Sequence, residues 1–187
     1  MEYYKTKECV KEYIELAKDV NGSELINELR KVLAENSLLL EIGSGPGTDW
    51  NLLSKHFKVI GSDFSNEFIN HLQNKYRDGE FLELDASTLK TDKKFDGIYS
   101  NKVLHHLKDD ELTRSVARQA EILKKAGVIC HSFWKGEGSE TFKGMFVNYH
   151  TESQLREFFE PLFEIISISP YEEFETGDSL LLIAKRK

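Results

Sequence analysis

Residues 38–49 restrict the fold of this chain more than any other segment. They read LLLEIGSGPGTD, so three aliphatic residues and an acid come directly before a loop with glycine at positions 43, 45 and 47. The apolar run predicts a central parallel strand that is buried on both faces. The glycines allow a sharp turn and a close approach of the backbone to a ligand, and a helix starting near Thr48 would direct its free N–H groups at that loop. The segment therefore predicts a nucleotide-type cofactor site in an α/β protein.

The spacing within this loop argues against a dinucleotide ligand. Dinucleotide loops have the pattern G-x-G-x-x-G, in which the third glycine permits close helix packing and the helix N-terminus holds a pyrophosphate. Thr48 stands where that third glycine would fall. Glu41 lies two residues before Gly43, and its carboxylate would repel a pyrophosphate but attract an ammonium or a sulfonium. We therefore expect a ligand with positive charge near Glu41.

Length and charge set further bounds. A chain of 187 residues is the size of one domain with one substantial core. The 32 acids against 25 Lys and Arg, a net charge of −7, argue against a nucleic-acid partner. We expect a cytoplasmic protein with no membrane association, because the N-terminus lacks an apolar leader and no apolar run approaches ~20 residues. Cys9 and Cys130 are predicted to be reduced thiols, with Cys130 a core residue. The oligomeric state stays open.

Short apolar runs alternate with segments of helical periodicity. The predicted strands of the first part are 38–42, 57–62, 80–84, 95–100 and 127–133. The predicted helices are 8–20, a second one capped by Ser23, 49–55, 65–76 and 109–124. This alternation predicts a doubly wound, mostly parallel sheet with helices on both faces. The turn 125–127 is interpreted as the cap that ends the last of these helices.

The end of the chain departs from this alternation. Thr151 and Gln154 form a capping box for a helix that Pro161 stops after residue 160. Two strand-like runs, 162–169 and 179–185, follow without a helix between them and predict an antiparallel hairpin. We expect one domain, with residues 1–36 as an N-terminal helical cap and residues 37–187 as the cofactor-binding core.

The pattern E-x-G-x-G-x-G at the end of the first strand resembles motif I of the class I S-adenosylmethionine-dependent methyltransferases. The resemblance covers most of the chain from Leu38 onward, whereas the N-terminal stretch carries no family signature. It implies a Rossmann-like, seven-stranded sheet with an antiparallel C-terminal hairpin. It also implies S-adenosyl-L-methionine as cofactor and the transfer of a methyl group to a small-molecule acceptor.

Residues after the strand ends are the candidate cofactor contacts, because ligands of open α/β sheets bind beyond the carboxyl ends of the strands. Asp63 follows the second strand, twenty residues after Gly43, and suits a ribose diol. The resemblance implies that Asp85 and Ala86 contact adenine and that Ser100 and Asn101 lie near the methionine amino group. The complete candidate set is Glu41, Gly43, Ser44, Gly45, Gly47, Asp63, Phe64, Asp85, Ala86, Ser100 and Asn101. Asp63 and Asp85 would alternatively serve as turn or cap residues, and Asp96, which starts its strand, is assigned to local orientation.

A general base is the next feature to locate, because a proton leaves when the acceptor is an alcohol, a phenol or a protonated amine. His105 and His106 lie just past the fourth strand, in a segment that resembles the histidine-bearing segment of small-molecule methyltransferases. Either one is the candidate base; alternatively, one is a structural histidine and the other is exposed. His131, within the fifth strand, could also face the site. No metal is expected, since two histidines without Cys or carboxylate at ligand spacing are weak evidence for one.

An apolar cover that excludes water is expected at two places. One is formed by the N-terminal helices with Tyr3 and Tyr4. The other is the segment 134–150, in which three glycines indicate mobility and aromatic residues indicate an acceptor wall. The candidate acceptor contacts there are Trp134, Phe146, Tyr149 and His150. The alternative is a surface loop whose aromatic side chains pack on the core.

Two other functions are compatible with the sequence. One is a catalytically silent cofactor binder that scaffolds a partner, which would bind the cofactor without transferring its methyl group. The other is an NAD-type dehydrogenase, which Glu41 and the absent third glycine disfavour.

Overall fold

The computed structural model describes residues 7–16, 21–142 and 144–187. Nine strands and six α-helices make up the described residues. The strands are β1 (Leu38–Ile42), β2 (Lys58–Asp63), β3 (Glu80–Glu83), β4 (Phe95–Ser100), β5 (Leu123–Trp134), β6 (Ser139–Phe142), β7 (Met145–Asn148), β8 (Phe163–Tyr171) and β9 (Ser179–Arg186). The helices are α1 (Lys7–Leu16), α2 (Ser23–Leu29), α3 (Thr48–Leu53), α4 (Asn66–Lys75), α5 (Asp109–Ile122) and α6 (Glu152–Phe159), with a 3₁₀ turn at Leu104–His106.

Seven of these strands form one sheet in the order β3-β2-β1-β4-β5-β9-β8. Strands β1 to β5 pair in parallel, whereas β9 pairs antiparallel with both β5 and β8. The predicted doubly wound, mostly parallel sheet with an antiparallel C-terminal hairpin is confirmed. From β1 the chain builds the sheet outward in one direction through β2 and β3, and then returns to place β4 on the other side of β1. The strand order therefore reverses between β1 and β4, and a crevice opens at the carboxyl ends of these two strands.

Strand β1 is buried on both faces of the sheet. Leu40 and Ile42 pack into a large apolar cluster with α5 and α6, whereas Leu39 packs into a second cluster with α2 and α3. Alternate side chains of a strand point to opposite faces, so a strand covered on both faces requires an unbroken apolar run. Cys130 is buried in the second cluster, as predicted.

Two local predictions are wrong. The segment 125–127 does not cap α5, which ends at Ile122; it lies within β5, where Ala126 takes a φ of +62° and the pairing with β4 shifts between Phe95 and Gly97. Ser23 is not the cap of α2: that helix begins at Ser23, follows Gly22 and has no side-chain cap. The capping box of Thr151 and Gln154 at α6 is confirmed.

The glycine-rich segment after β5 is more regular than its composition indicated. Residues of β6 pair antiparallel with β7, from Ser139 opposite Asn148 to Phe142 opposite Met145. Gly144 has a φ of +77°, a value that serves a tight turn. The segment is therefore a short β-hairpin. Tyr3, Tyr4 and residues 17–20 of the predicted first helix lie outside the described residues.

None of the helices in the described part of the chain combines the length and apolar character needed to cross a membrane.

Candidate cofactor and acceptor site

The glycine loop between β1 and α3 has the backbone conformation that its sequence predicts. Gly43, Gly45 and Gly47 have φ values of +71°, +47° and +79°, a region that residues with a Cβ rarely adopt. A Cβ at Gly43 would lie 2.4 Å from the side chain of Val103. At Gly45 the nearest atom to an added Cβ is 3.9 Å away, in the ring of Tyr13, so the backbone there faces open space.

Two neighbouring cavities open at this end of the sheet, and Tyr13, Gly43, Gly45, Asn101 and Lys102 line both. The larger holds about 380 Å³, the size of a small-molecule site. Its lining includes the predicted residues Asp63, Phe64, Asp85, Ala86, His106 and Phe146. The smaller holds about 120 Å³, and its lining includes Glu41 and Ser44. Most of the predicted cofactor set therefore meets at one place.

Glu41 is a buried acid at the floor of the smaller cavity. It is 2% exposed, and its Oε2 accepts a 2.5 Å hydrogen bond from the Ser44 hydroxyl. Burial, reinforced by the nearby Asp49, raises the pKa of Glu41 to about 8. A buried carboxyl with a single hydrogen bond gains most from an opposite charge placed beside it, so a cationic ligand fits this position.

Asp63 combines the two roles that the sequence left open. Its oxygens accept hydrogen bonds from the backbone N–H of Gly45, at 3.0 Å, and of Ser65, at 2.9 Å. Burial raises its pKa to about 6, against the effect of these N–H groups. The backbone N–H of Phe64 is a third donor to this carboxylate. A carboxylate has about four lone-pair sites, so one remains on this residue, which lines the larger cavity. Asp63 thus holds the loop and can still accept from a diol.

Asp85 follows β3 and Asn101 follows β4, and both residues line the larger cavity. Asp85 Oδ1 accepts from both the N–H and the hydroxyl of Ser87, at 2.7 and 2.5 Å, an Asx-type turn. Asn101 donates to Asp49 Oδ2 at 3.1 Å and accepts from the Ser132 hydroxyl at 2.6 Å. Both side chains are therefore oriented by neighbours before any ligand binds.

Ser100 lies behind the cavity wall, where it starts a buried chain of hydrogen bonds, which we call the core chain. Its Oγ is 2.8 Å from His131 Nδ1, and His131 Nε2 is 2.8 Å from Gln119 Oε1. Gln119 donates to Ser115 Oγ at 3.1 Å, and Ser115 donates to the Ala86 carbonyl at 2.6 Å. Burial lowers the pKa of His131 to about 3, so the ring is neutral. His131 faces the core and is not a candidate base.

The two adjacent histidines have different surroundings. His105 is buried and does not line either cavity, and burial lowers its pKa well below the ordinary value. His106 lines the larger cavity, and its Nδ1 is 2.7 Å from the Phe146 carbonyl oxygen. A carbonyl can only accept, so Nδ1 carries the proton and Nε2 keeps its lone pair. Burial lowers the pKa of His106, and the ring is neutral at pH 7.

The predicted acceptor wall is only partly at the cavity. Phe146, on β7, lines it. Tyr149 instead donates to Glu140 across the hairpin at 2.5 Å, and His150 is buried against Phe133 and Phe158. Six of the predicted site residues, all within the described part of the chain, line neither cavity: Gly47, Ser100, His105, Trp134, Tyr149 and His150. For Trp134, Tyr149 and His150, the alternative of aromatic residues packed on the protein describes the structure better.

Asp49 and Lys102 are among the lining residues that the sequence did not predict. Asp49 accepts from the Gly22 N–H at 2.7 Å, from the Tyr99 hydroxyl at 2.7 Å and from Asn101, and so ties the start of α3 to the start of α2 and to the end of β4. Lys102 lines both cavities. The only sequence signal for either was position, because each directly follows a predicted site element.

Comparison with known proteins agrees with this geometry. Residues 39–127 match the family described as "Methyltransferase domain". The chain is 28% identical over 135 residues to a malonyl-[acyl-carrier protein] O-methyltransferase of Calditerrivibrio nitroreducens. That match covers 69% of this chain and spans about half, 52%, of the relative's length.

Solved structures share the fold over nearly the whole chain. A 1,6-didemethyltoxoflavin-N1-methyltransferase of Burkholderia thailandensis, with 1,6-didemethyltoxoflavin and S-adenosylhomocysteine bound, has a TM-score of 0.81 at 19% identity, covering 96% of this chain and 84% of that one. The N-methyltransferase NodS of Bradyrhizobium japonicum, bound to S-adenosylhomocysteine, has a TM-score of 0.70 at 17% identity, covering 90% and 89%.

The sheet order and the glycine loop at its switch point define a Rossmann-like, nucleotide-cofactor protein. The domain match narrows this class: residues 39–127 of the chain are similar to a methyltransferase domain. The buried Glu41 beneath an open glycine backbone fits the positive charge of S-adenosylmethionine.

Proposed function

We propose that this protein transfers a methyl group from S-adenosyl-L-methionine to a small-molecule acceptor and that His106 takes up the acceptor's proton. The observation that carries the proposal is the 2.7 Å contact of His106 Nδ1 with the Phe146 carbonyl in the wall of a 380 Å³ cavity. This contact fixes the tautomer and leaves Nε2 as a base.

The cofactor, when bound, supplies an electrophilic methyl group and leaves as a neutral thioether. The residues of this chain then have three tasks. Asp63 and the loop around Gly45 bind the ribose side, whereas Glu41 and Asn101 are proposed to bind the amino-acid side. His106 accepts a proton, which contributes roughly 10²–10⁴-fold where one must leave. Holding the two reactants in contact contributes at best ~7–11 kcal/mol.

Water exclusion is proposed for α1 and for the β6–β7 hairpin. Tyr13 of α1 lines both cavities, and its ring packs edge-on against Phe68 of α4 at 5.9 Å. Phe146 and Gly144 of the hairpin line the larger cavity from the other side. We propose that residues 1–36 act as a cap on a cofactor-binding core of residues 37–187.

The cofactor assignment is tested by calorimetry with S-adenosylhomocysteine. Asp63→Ala removes a carboxylate that accepts from the ribose, so it should weaken binding by about 1.5–3 kcal/mol, roughly ten- to hundredfold. Asp92→Ala, which removes an exposed aspartate, is the matched control and should bind as the unaltered protein does. Equal affinity for all three proteins would count against the assignment.

The activity is tested by supplying methyl-labelled cofactor with a pool of metabolites. Label transferred to a small molecule supports the proposal. Tight cofactor binding without transfer to any pool would favour a silent scaffold protein instead, and tight NAD binding in place of S-adenosylmethionine would reject both.

A further inference from the structure

Lys102 is held in a conformation that directs its side chain to one place. It follows Asn101 at the end of β4 with a φ of +52°, which residues with a Cβ rarely adopt. Its backbone N–H donates to Ser132 Oγ at 2.8 Å, and the Ser132 hydroxyl donates to Asn101 Oδ1 at 2.6 Å. Unfavourable backbone conformations persist where the surrounding structure over-determines them, and they cluster at functional sites.

The ammonium group of Lys102 lies in an aromatic and hydroxyl surrounding. Nζ is 3.2 Å from the centre of the Trp134 ring and 5.3 Å from that of Tyr171. It donates to Ser179 Oγ at 2.5 Å, and the lysine side chain is 13% exposed. The stacked ring of Phe174 lies 5.9 Å from the Trp134 ring.

The charge of this ammonium is only partly balanced. The nearest carboxylate, Glu173 Oε2, is 3.9 Å away, beyond hydrogen-bond distance, and accepts from the Tyr171 hydroxyl at 2.9 Å. A lysine has three N–H donors, and only the Ser179 hydroxyl accepts from them within the described part of the chain. Burial lowers the pKa of Lys102 to about 8, although Glu173 and Asp178 act against it. A buried cation in this state gains free energy from an added anion.

Lys102 lies where an anionic group of a ligand in either cavity could reach it. It lines both cavities, and in the smaller one it faces three acids, Glu41, Asp49 and Glu173. Within that lining it is the sole cation among the described residues, so it is suited to the negative end of a zwitterion. In the larger cavity it stands on the same wall as Val103 and His106, the proposed acceptor side.

We propose that Lys102 is a carboxylate-binding residue of this site, and this rests on the function proposed above. The carboxylate belongs either to the amino-acid part of the cofactor or to the methyl acceptor. In both cases Lys102 donates hydrogen bonds to it, and Trp134 and Tyr171 shield the pair from water.

The test compares Lys102→Met, which removes the charge and keeps the length, with Lys102→Arg, which keeps the charge. Lys55→Met is the matched control, since Lys55 is exposed and lines neither cavity. The first arm measures binding of S-adenosylhomocysteine and of 5′-methylthioadenosine, which lacks the amino acid. The second arm measures labelled methyl transfer to metabolites separated into acidic and non-acidic fractions.

A cofactor carboxylate predicts that Lys102→Met weakens S-adenosylhomocysteine at least tenfold and leaves 5′-methylthioadenosine unchanged. An acceptor carboxylate predicts unchanged affinity for both, with label in the acidic fraction that Lys102→Met abolishes. In either case Lys102→Arg retains most of the binding or transfer that Lys102→Met loses, and Lys55→Met has no effect. Unchanged affinity in Lys102→Met, with label in the same fraction at the same rate, would overturn the proposal. Failure of the unaltered protein to bind S-adenosylhomocysteine would instead reject the proposed function.

Discussion

His131, which is fully buried in β5, and His106, which is half-buried after β4, use their ring nitrogens differently. His131 has a partner at each nitrogen, Ser100 and Gln119. His106 has the Phe146 carbonyl at Nδ1, and none of the described residues is hydrogen-bonded to its Nε2. Both ring nitrogens of His131 are occupied within the core chain, whereas Nε2 of His106 keeps a free lone pair at the cavity. Burial alone therefore does not identify a reactive histidine; the unfilled hydrogen-bonding capacity does.

The direction of the core chain follows from chemistry. The Ala86 carbonyl can only accept, so the Ser115 hydroxyl must donate to it. Gln119 then donates to Ser115 through its amide nitrogen and accepts from His131 Nε2–H through its oxygen. Both ring nitrogens of His131 therefore have a partner, and its Nε2–H is held by the Gln119 oxygen. The chain joins the end of β4 to the segment after β3 that carries Asp85.

The largest effect is expected from His106→Asn, which keeps a donor for the Phe146 carbonyl but removes the base. Turnover of the labelled acceptor should fall about 10²–10⁴-fold, with affinity for S-adenosylhomocysteine unchanged. Steady-state kinetics combined with calorimetry measures both quantities. His105→Asn is the comparison, since His105 lines neither cavity and should affect unfolding more than turnover. Equal turnover in His106→Asn and the unaltered protein would show that no base acts there.

A smaller effect, on stability, is expected from Ser115→Ala. The change removes a buried hydroxyl and leaves the half-buried Ala86 carbonyl and the buried Gln119 amide without a partner, which should cost about 1–3 kcal/mol in the free energy of unfolding. Thr113→Ala is the control: Thr113 makes the same hydroxyl-to-carbonyl bond, to Asp109 at 2.8 Å, on the exposed face of the same helix. Its loss should cost well below 1 kcal/mol. Urea unfolding of both variants measures the difference, and equal costs would mean that the core chain is not saturated as described.

A pH-dependent effect on stability is expected from Glu41, a buried group with one hydrogen bond. Its pKa is about 8 in the folded protein and near 4.5 in the unfolded chain. Between these values the native state binds more protons, so this group lowers stability as pH rises from about 4.5 to 8, by up to ~1.4 kcal/mol per pH unit. Glu41→Gln should flatten that slope in thermal unfolding without ligand. A slope that stays unchanged in the variant would contradict the raised pKa.

The raised pKa of Glu41 also predicts a release of protons when a ligand binds in the cavity. A cationic ligand favours the ionised carboxylate, so binding of S-adenosylhomocysteine near pH 7 should release up to one proton. Calorimetry in buffers of different ionisation enthalpy detects this release. Glu41→Gln should abolish the release and weaken binding, whereas proton uptake in the unaltered protein would be opposite to the expected sign.

The predicted elements held best where the signal was continuous. The bounds of β1, which carries three consecutive leucines, and of β4, which ends at the polar Ser100, were predicted without error. The β6–β7 hairpin was interpreted as a mobile segment, because glycines that serve turns look the same in sequence as glycines that serve motion. The segment 125–127 was misassigned for a related reason: Gly127 looked like a helix end but lies in an irregular stretch of β5.

The sequence by itself determined the fold and the cofactor end of the site. Strand periodicity, the glycine loop and the acids beside it are signals carried by contiguous residues, because the conformation of a strand or a tight turn depends mainly on neighbouring residues. Only the tertiary structure decided the acceptor end. His106 meets Phe146 from 40 positions away, His131 meets Ser100 from 31, and Lys102 meets Ser179 from 77. Such contacts depend on how distant strands and loops pack, so only the folded chain shows which histidine keeps a lone pair and which lysine keeps N–H donors without a carboxylate at hydrogen-bond distance.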